Sequence, residues 1–173
     1  MHPYIIKLVV LSYMSGAPLN HVSYAMEAET EKVKAFQLLA QADQESRYLH
    51  ESVNGIDNVT NKRVNSNIKK IHTLHGPYFC GSTQLKATTV KSCKKIVYDV
   101  RAQYKGASLH LHEWFKYCED NGHGVDNVRC AITGYAGGGK ATTFKGKAWR
   151  YAGRIIKMTN SKGWSFYVTG KRH

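Results

Sequence analysis

One acidic residue stands on the apolar side of a predicted helix. The residues at the i, i+4, i+7 and i+11 positions of this helix face are Leu38, Ala42, Glu45 and Leu49. Burial disfavours the charged form of a carboxyl group, so a Glu in this position tends to keep its proton and can serve as a general acid near neutral pH. The alternative is a Glu at the edge of the apolar stripe, where it is solvated or paired with a cation.

Five helices are predicted, and the first of them carries Glu45. Acidic residues that suit a helix N-terminus lie at its start, and the polar residues 51–70 follow it as a predicted loop with little regular structure. Gly106 is predicted to end the second helix. The predicted helices span residues 29–50, 88–106, 108–120, 125–135 and 147–158, and residues 164–168 form either a short strand or an irregular packing segment. These elements indicate a mainly helical single domain.

Two further segments contain polar side chains and glycines, and the fold could bring both segments close to Glu45. Residues 80–89 contain Gly81 and lead into a helix, and residues 131–139 end in three consecutive glycines. These glycines could let a sugar chain approach the backbone, and the alternative is a helix C-cap followed by a turn. A phosphate-binding loop is not indicated, because the glycines follow a helix and lack the required spacing. Residues 149–155 come next and contain Tyr151.

In this order and spacing the segments resemble the lytic transglycosylase family with the lysozyme-like fold, which is related to goose-type lysozymes. The family pattern has Glu-Ser at a helix end, a Gly-x-x-Gln loop followed by a hydrophobic residue, an Ala-Tyr-Asn-Ala-Gly segment, and a Tyr followed by Arg and Val or Ile. The matching residues are Glu45 with Ser46, Gly81 with Gln84 and Leu85, Tyr135 with Gly138, and Tyr151 with Arg154 and Ile155. The resemblance covers residues 33–158. The chain departs from the pattern at Ala136, where the family has Asn, and at Ser82 and Thr83, where the family has Leu-Met.

The resemblance implies a lysozyme-like α+β superfold with a substrate cleft, and a reaction that needs one carboxyl group. Glu45 is expected to protonate the glycosidic oxygen between N-acetylmuramic acid and N-acetylglucosamine, and then to take a proton from the muramic O6 hydroxyl, which closes a 1,6-anhydro ring. The expected substrate-binding residues are Ser46, Gln84, Tyr135, Gly138 and Tyr151. The tyrosines would offer aromatic surface to sugar rings and hydroxyl groups to Glu45 or an acetamido group. Ordinary core packing is the alternative for both.

The sequence predicts neither a second catalytic carboxylate nor a metal site, and no cofactor is expected. Asp57 and Asp99 are acceptable partners for Glu45 by residue type alone, but nothing in the sequence brings either of them close. Two histidine pairs are considered as metal ligands, His110 with His112 and His72 with His75. His110 and His112 are two positions apart, so on a helix they point to different faces. His72 and His75 have no carboxylate nearby that could complete a metal site.

The chain is strongly basic. Its 25 Lys and Arg against 12 Asp and Glu give a net charge of +13 with His neutral, which indicates an anionic partner. Peptidoglycan strands in an anionic cell envelope are the expected partner, and nucleic acid is not, because the basic residues are scattered along the chain. The alternatives are a non-enzymatic module that binds nucleic acid, supported by aromatic residues among the basic ones, and an inactive lysozyme-like component of a virion or secretion machine.

Residues 1–25 differ in character from residues 26–173, which form the expected transglycosylase domain. Lys7 precedes an apolar run, Gly16 and Pro18 interrupt it, and Ser23 and Ala25 are small residues where a signal peptidase could cleave. These features predict a signal peptide and therefore a periplasmic or secreted protein, or a virion or lysis protein of a phage. The alternative is an ordinary N-terminal core segment. After residue 25 no apolar run reaches the roughly 20 residues needed to span a bilayer, and a monomer is expected.

The four cysteines are Cys80, Cys93, Cys118 and Cys130. None of them forms a C-x-x-C pair, so a zinc site built from local pairs is poorly supported. Their even number and the predicted export favour one or two disulfides, and three pairings remain open.

Overall fold

The computed structural model describes residues 2–121, 126–139 and 146–161, except for the side chains of residues 160 and 161. The segment predicted at residues 164–168 lies outside the described residues. The helices are α1 (Pro3–Ser15), α2 (Leu19–Glu27), α3 (Ala35–Ser46), α4 (Val90–Val97), α5 (Val100–Asp120), α6 (Asn127–Gly137) and α7 (Gly146–Ser161). The strands are β1 (Ser52–Asp57), β2 (Arg63–Asn67), β3 (Leu74–Cys80) and β4 (Leu85–Ala87), and a 3₁₀ helix spans Ile68–Thr73.

The main core lies between the helices, and α5 runs through it. Tyr104, Leu111 and Phe115 of α5 are buried together with Leu38 and Leu39 of α3, and every helix except α4 contributes to this cluster. Apolar side chains recur along the buried face of α5, and burying such faces provides most of the driving force for the arrangement. The expected mainly helical architecture is confirmed.

The prediction of a loop at residues 51–70 was wrong, because a four-stranded antiparallel sheet begins there. The strand order is β2-β1-β3-β4. Val53 and Gly55 of β1 are buried, whereas the other four residues of the strand are only partly covered. Few residues of β1 and β2 are buried and apolar, and their other positions are rich in Asn. The alternation of apolar and polar residues that predicts a strand is therefore weak here. The fold is therefore α+β, with a second small core between the sheet and α4.

The first helix is shorter than predicted at both ends. It begins at Ala35 rather than near residue 29, and it ends at Ser46 because Arg47 and Tyr48 adopt left-handed conformations with φ of 53° and 64°. The chain turns away at that point, so Leu49, expected on the apolar stripe, is 64% exposed. Glu45 consequently lies in the last turn of the helix, as the resemblance implies for the Glu-Ser pair.

The second and third predicted helices also have different boundaries. A break at Tyr98 and Asp99 separates α4 from α5, and the Asp99 side chain caps α5 by accepting from the Ala102 N–H. The helix then continues through Gly106, which does not end it. A Cβ at Gly106 would lie 2.6 Å from Leu85 Cδ1, so the glycine allows β4 to approach α5 closely. The fourth and fifth predicted helices are confirmed as α6 and α7.

Two disulfides resolve the pairing that the sequence left open. Cys80 pairs with Cys93 and ties β3 to α4, while Cys118 pairs with Cys130 and ties α5 to α6. Each bond thus joins neighbouring elements and restricts the unfolded chain.

The N-terminal segment packs into the main core. Leu11, Val22 and Ala25 are fully buried. This packing matches the alternative interpretation of residues 1–25, an N-terminal segment that belongs to the core. No helix in the described ranges is long and apolar enough to cross a bilayer. Cleavage after residue 25 stays a prediction.

A buried histidine in α2 is expected to make stability depend on pH. His21 Nδ1 lies 2.9 Å from the Tyr104 hydroxyl, and burial, assisted by the charge of His50, lowers the pKa of His21 from 6.5 to about 4. The unfolded chain therefore binds this proton more tightly, so acidification through that interval favours unfolding. This difference between the pKa values of His21 in the unfolded and folded chain changes the free energy of unfolding by at most about 3 kcal/mol.

Chemical denaturation of the full chain at several pH values between 6.5 and 4 measures this loss. His21→Gln is the matched variant, because it keeps a hydrogen-bonding side chain but does not titrate. The variant should lose less stability on acidification than the wild type. Equal losses in the two proteins would show that His21 is not the responsible group.

Candidate active site

Glu45 is held by a tyrosine from another helix. The Tyr151 hydroxyl of α7 donates a hydrogen bond to Glu45 Oε1 at 2.5 Å, joining side chains 106 positions apart. Burial raises the pKa of Glu45, and the bond from Tyr151 opposes that rise without cancelling it. The carboxyl group is therefore suited to carry a proton at a pH where an ordinary Glu is ionised.

Gln41 lies one turn before Glu45 on α3. Its side chain is buried near Tyr151, and neither its amide nitrogen nor its amide oxygen has a hydrogen-bond partner among the described residues. Burial and the charge of Glu45 raise the pKa of Tyr151. Gln41, Tyr151 and Glu45 thus form one polar group inside an otherwise apolar part of the helical core. The sequence analysis did not identify Gln41, although its i, i+4 spacing to Glu45 was visible.

The loop of residues 81–84 lies against the end of α3 and is fixed by Gln103. Gln103 Oε1 accepts from both the N–H and the hydroxyl of Ser82, at 2.7 and 2.6 Å, while its Nε2 donates to the Ile96 carbonyl at 2.9 Å. Gly81 has φ of 80°, and a Cβ there would lie 2.5 Å from the Gln103 amide carbon. Ser82 and Thr83, which depart from the family pattern, are buried with their hydroxyls bonded to Gln103.

Two of the predicted binding residues use their side chains to hold this loop. The Ser46 hydroxyl donates to the Ser82 carbonyl, 2.9 Å away, and so joins the end of α3 to the loop. Gln84 has φ of 54°, and its Nε2 donates to the Gly81 carbonyl at 2.8 Å and lies 3.3 Å from Ser52 Oγ. Gln84 also lines a cavity that contains Glu45.

Tyr135 and Gly138 lie on the opposite side of that cavity, on α6. The Tyr135 hydroxyl donates to the Thr83 carbonyl at 2.7 Å, and burial, followed by the charge of Glu45, raises the pKa of Tyr135. Gly138 is the C-cap of α6 with φ of 71°, and no atom of the described residues lies within 4 Å of where a Cβ would be. The backbone at Gly138 is therefore open to the cavity.

Glu45 lies between two cavities, and it lines both. The first has a volume of about 720 Å³ and extends between the end of α3 and the strands β1 and β2. The second has a volume of about 670 Å³ and is enclosed by the sheet, α5 and α6. Each lies in the size range of ligand sites in proteins. An extended molecule that occupied both cavities would pass directly over the carboxyl group.

Aromatic side chains line the second cavity on two sides. Phe79 comes from β3, while Trp114 comes from α5 and packs against Gly134 of α6. The His110 and Tyr135 rings lie 5.0 Å apart on the same wall. Such surfaces suit the apolar faces of sugar rings. The place of Trp114 in the cavity follows from helix packing that the sequence does not specify.

The two acidic residues considered as partners by type do not reach the site. Asp57 accepts from the N–H groups of Val59 and Thr60 in the turn after β1, and Asp99 caps α5. Neither lines the cavities, whereas Asp43 and Glu51 line the first one. The sequence analysis missed both of these residues.

The histidines do not form a metal site within the described ranges. The described residues contain no group of three His, Cys, Asp or Glu side chains that could hold a metal ion. His110 Nε2 accepts from Trp114 Nε1 at 3.4 Å, and His75 Nδ1 lies 3.0 Å from Asn58 Oδ1.

No family model, curated protein or solved structure matches this chain. A function must therefore be inferred from the site, since a fold alone does not determine one. The groups available are a carboxyl with a raised pKa, a tyrosine that orients it, and two cavities that meet at it. These groups suit proton transfer to a bond within an extended substrate.

The bond from Tyr151 gives a prediction for the pH profile. Tyr151→Phe should lower the rate of a reaction in which Glu45 gives its proton by about 10- to 100-fold, because the carboxyl group loses its orientation. It should also shift the alkaline limb of the profile to higher pH, since the lost bond lowers the pKa of Glu45. Initial rates from pH 4 to 9 on the substrate proposed below measure both effects, with the exposed Tyr98→Phe as control. An unchanged alkaline limb would contradict the role of Tyr151.

Proposed function

We propose that this protein is a peptidoglycan lytic transglycosylase that cleaves the β-1,4 bond between N-acetylmuramic acid and N-acetylglucosamine. The carrying observation is the position of Glu45, a partly buried carboxyl with a raised pKa where the two cavities meet. The helical core with a small antiparallel sheet beside the cleft is compatible with a lysozyme-like superfold. In this proposal residues 26–173 contain the catalytic unit.

The reaction requires a single carboxyl group that acts twice. Glu45 first donates its proton to the glycosidic oxygen, and the bond from that oxygen to C1 of the muramic residue breaks as positive charge develops on the sugar. The Glu45 carboxylate then takes the proton of the muramic O6 hydroxyl, and O6 bonds to C1. The products are a free hydroxyl on the leaving sugar and a 1,6-anhydro ring, and Glu45 is protonated again.

The surrounding residues support these two steps. Tyr151 fixes one carboxyl oxygen, so the other remains available to the glycosidic oxygen. Phe79 and Trp114 supply aromatic surface, and the open backbone at Gly138 leaves room for a sugar chain. Ser46 and Gln84 act through the loop that they hold rather than by direct proton transfer.

Hydrolysis in the manner of a lysozyme is the second candidate. Asp43 and Glu51 line the first cavity together with Glu45, and a carboxylate there could activate a water molecule. The fate of the muramic O6 hydroxyl separates the two reactions.

The localisation follows from the substrate in this proposal. Peptidoglycan lies outside the cytoplasmic membrane, so we expect a periplasmic or secreted enzyme, or a phage virion or lysis protein, acting as a monomer. The net charge of +13 would hold it on the anionic envelope.

Clearing of purified cell walls tests the proposal against its rivals. The wild type should reduce the turbidity of a wall suspension. A protein that is inert on walls and binds DNA with a steep dependence on salt would instead be the basic nucleic-acid module. A folded protein inert in both assays would be the inactive scaffold.

A further inference from the structure

A row of side chains crosses the sheet at the floor of the cleft. The strand register places Asn65 of β2 opposite Asn54 of β1, Asn54 opposite Phe79 of β3, and Phe79 opposite Lys86 of β4. Residues paired in this way share one face of the sheet. Asn65 lines the first cavity and the other three line the second. The row therefore extends from one cavity to the other, and Glu45 lines both of them.

Arg63 extends this row and is held in position from two directions. Its Nη1 donates to Asn54 Oδ1 at 2.8 Å, and its guanidinium lies over the Phe79 ring, 5.0 Å from the centroid. Asn54 Nδ2 in turn donates to Asn65 Oδ1 at 2.6 Å. A guanidinium has five N–H donors, so most of them stay available to an anion.

The second cavity is lined by more basic than acidic side chains. Arg63 and Lys86 line it, and the one acidic residue on its wall is Glu45, whose pKa is raised by burial. The first cavity has Asp43 and Glu51 to offset Arg47. The ion pairs found among the described residues use other cations, namely Lys7, Lys32, Arg101 and His110. Arg63 and Lys86 thus bring uncompensated positive charge to the cleft.

We propose that Arg63 and Lys86 bind an anionic substituent of the glycan, the carboxylates of the peptide attached to muramic acid, and thereby select peptide-bearing strands over bare ones. This inference rests on the proposed function and specifies its substrate. Arg63 offers a planar fork for a carboxylate, while Lys86 contributes a flexible point charge on the neighbouring strand. A phosphate on the glycan would present the same chemistry, so the test must distinguish the two sources.

Binding is measured in a Glu45→Gln background, so that the strands are not consumed. The ligands are peptide-bearing strands, the same strands after an amidase has removed the peptides, and bare strands phosphorylated chemically. Arg63→Gln with Lys86→Gln is the test variant, and Lys94→Gln, on an exposed position of α4, is the matched control. Thermal unfolding checks that each variant is folded, as expected for exposed side chains.

The double variant should bind peptide-bearing strands about 10-fold more weakly and bare strands as the parent does, since each lost contact is charge-assisted. The control should leave both affinities unchanged. Equal affinity of the parent for peptide-bearing and bare strands would overturn the inference. Tighter binding of the phosphorylated strands than of the peptide-bearing ones would overturn the choice of peptide. Cleavage by the wild type is assayed separately, so its absence would count against the proposed function alone.

Discussion

Glu45→Gln is expected to lower the rate of glycan cleavage by about 10²- to 10⁴-fold, the range associated with loss of general acid–base catalysis. The amide keeps the size of the side chain and can still accept a hydrogen bond from Tyr151, but it has no proton of suitable acidity to give. Because the same group acts as acid and base, neither step is spared. Release of soluble fragments from purified walls, per mole of enzyme, measures the loss.

The same variant should be more stable than the wild type at neutral pH. Burial raises the pKa of Glu45, so the folded chain holds this proton more tightly than the unfolded chain. As pH rises through the pKa of Glu45 in the folded chain, the wild type loses stability. The amide of the variant does not titrate, so the variant does not lose stability in this way. The difference in denaturation midpoint between Glu45→Gln and wild type should therefore grow from pH 4 to pH 8. A variant that is less stable than the wild type at every pH would contradict the raised pKa of Glu45.

Glu51→Gln is the informative control for catalysis. Glu51 lines the first cavity, where its Oε2 accepts from Asn67 Nδ2 at 3.1 Å. If Glu45 is the only catalytic carboxyl, the Glu51 variant should keep most of its activity. A loss as large as that of Glu45→Gln would show that two carboxyl groups take part.

Gln103→Leu is expected to cost about 3–5 kcal/mol of stability, because it leaves several buried polar groups unpaired at once. The Ser82 N–H and hydroxyl lose their acceptor, and the Ile96 and Val97 carbonyls lose their donor. The leucine cannot replace any of these bonds. Denaturant titration, monitored by circular dichroism, measures the change in the free energy of unfolding.

This variant should also lose activity beyond what its reduced stability explains. The loop of residues 81–84 carries the Thr83 carbonyl that Tyr135 binds and the Gln84 side chain that lines the cavity. Gln44→Leu, at an exposed position on the last turn of α3, is the matched control and should change stability by less than about 0.5 kcal/mol. A cost below 1 kcal/mol for Gln103→Leu would mean that Gln103 does not hold the loop.

The helical part of the fold was predictable because its apolar residues recur with a period that only a helix explains. That signal identified α3, α6 and α7 and placed Glu45 against the core. It could not predict the left-handed residues Arg47 and Tyr48, which end α3 early and expose Leu49. Left-handed conformations of non-glycine residues are decided by tertiary contacts rather than by residue type.

The sheet was missed because its strands bury few large side chains. β2 reads Arg63 to Asn67 with no apolar residue except Val64, so its place in the sheet depends on pairing with β1. Gln103 was missed for a related reason. Ser82, which its side chain holds, lies 21 positions away, and Gly81 turns the chain toward Gln103 at that point.

The masses of the fragments released from purified peptidoglycan test the central claim most directly. With Glu45 as sole acid and base, the muropeptides should carry 1,6-anhydro ends, lighter by one water than hydrolysed ones, and Glu45→Gln should release neither. Muropeptides with reducing ends, or release of either product by the Glu45 variant, would contradict the account.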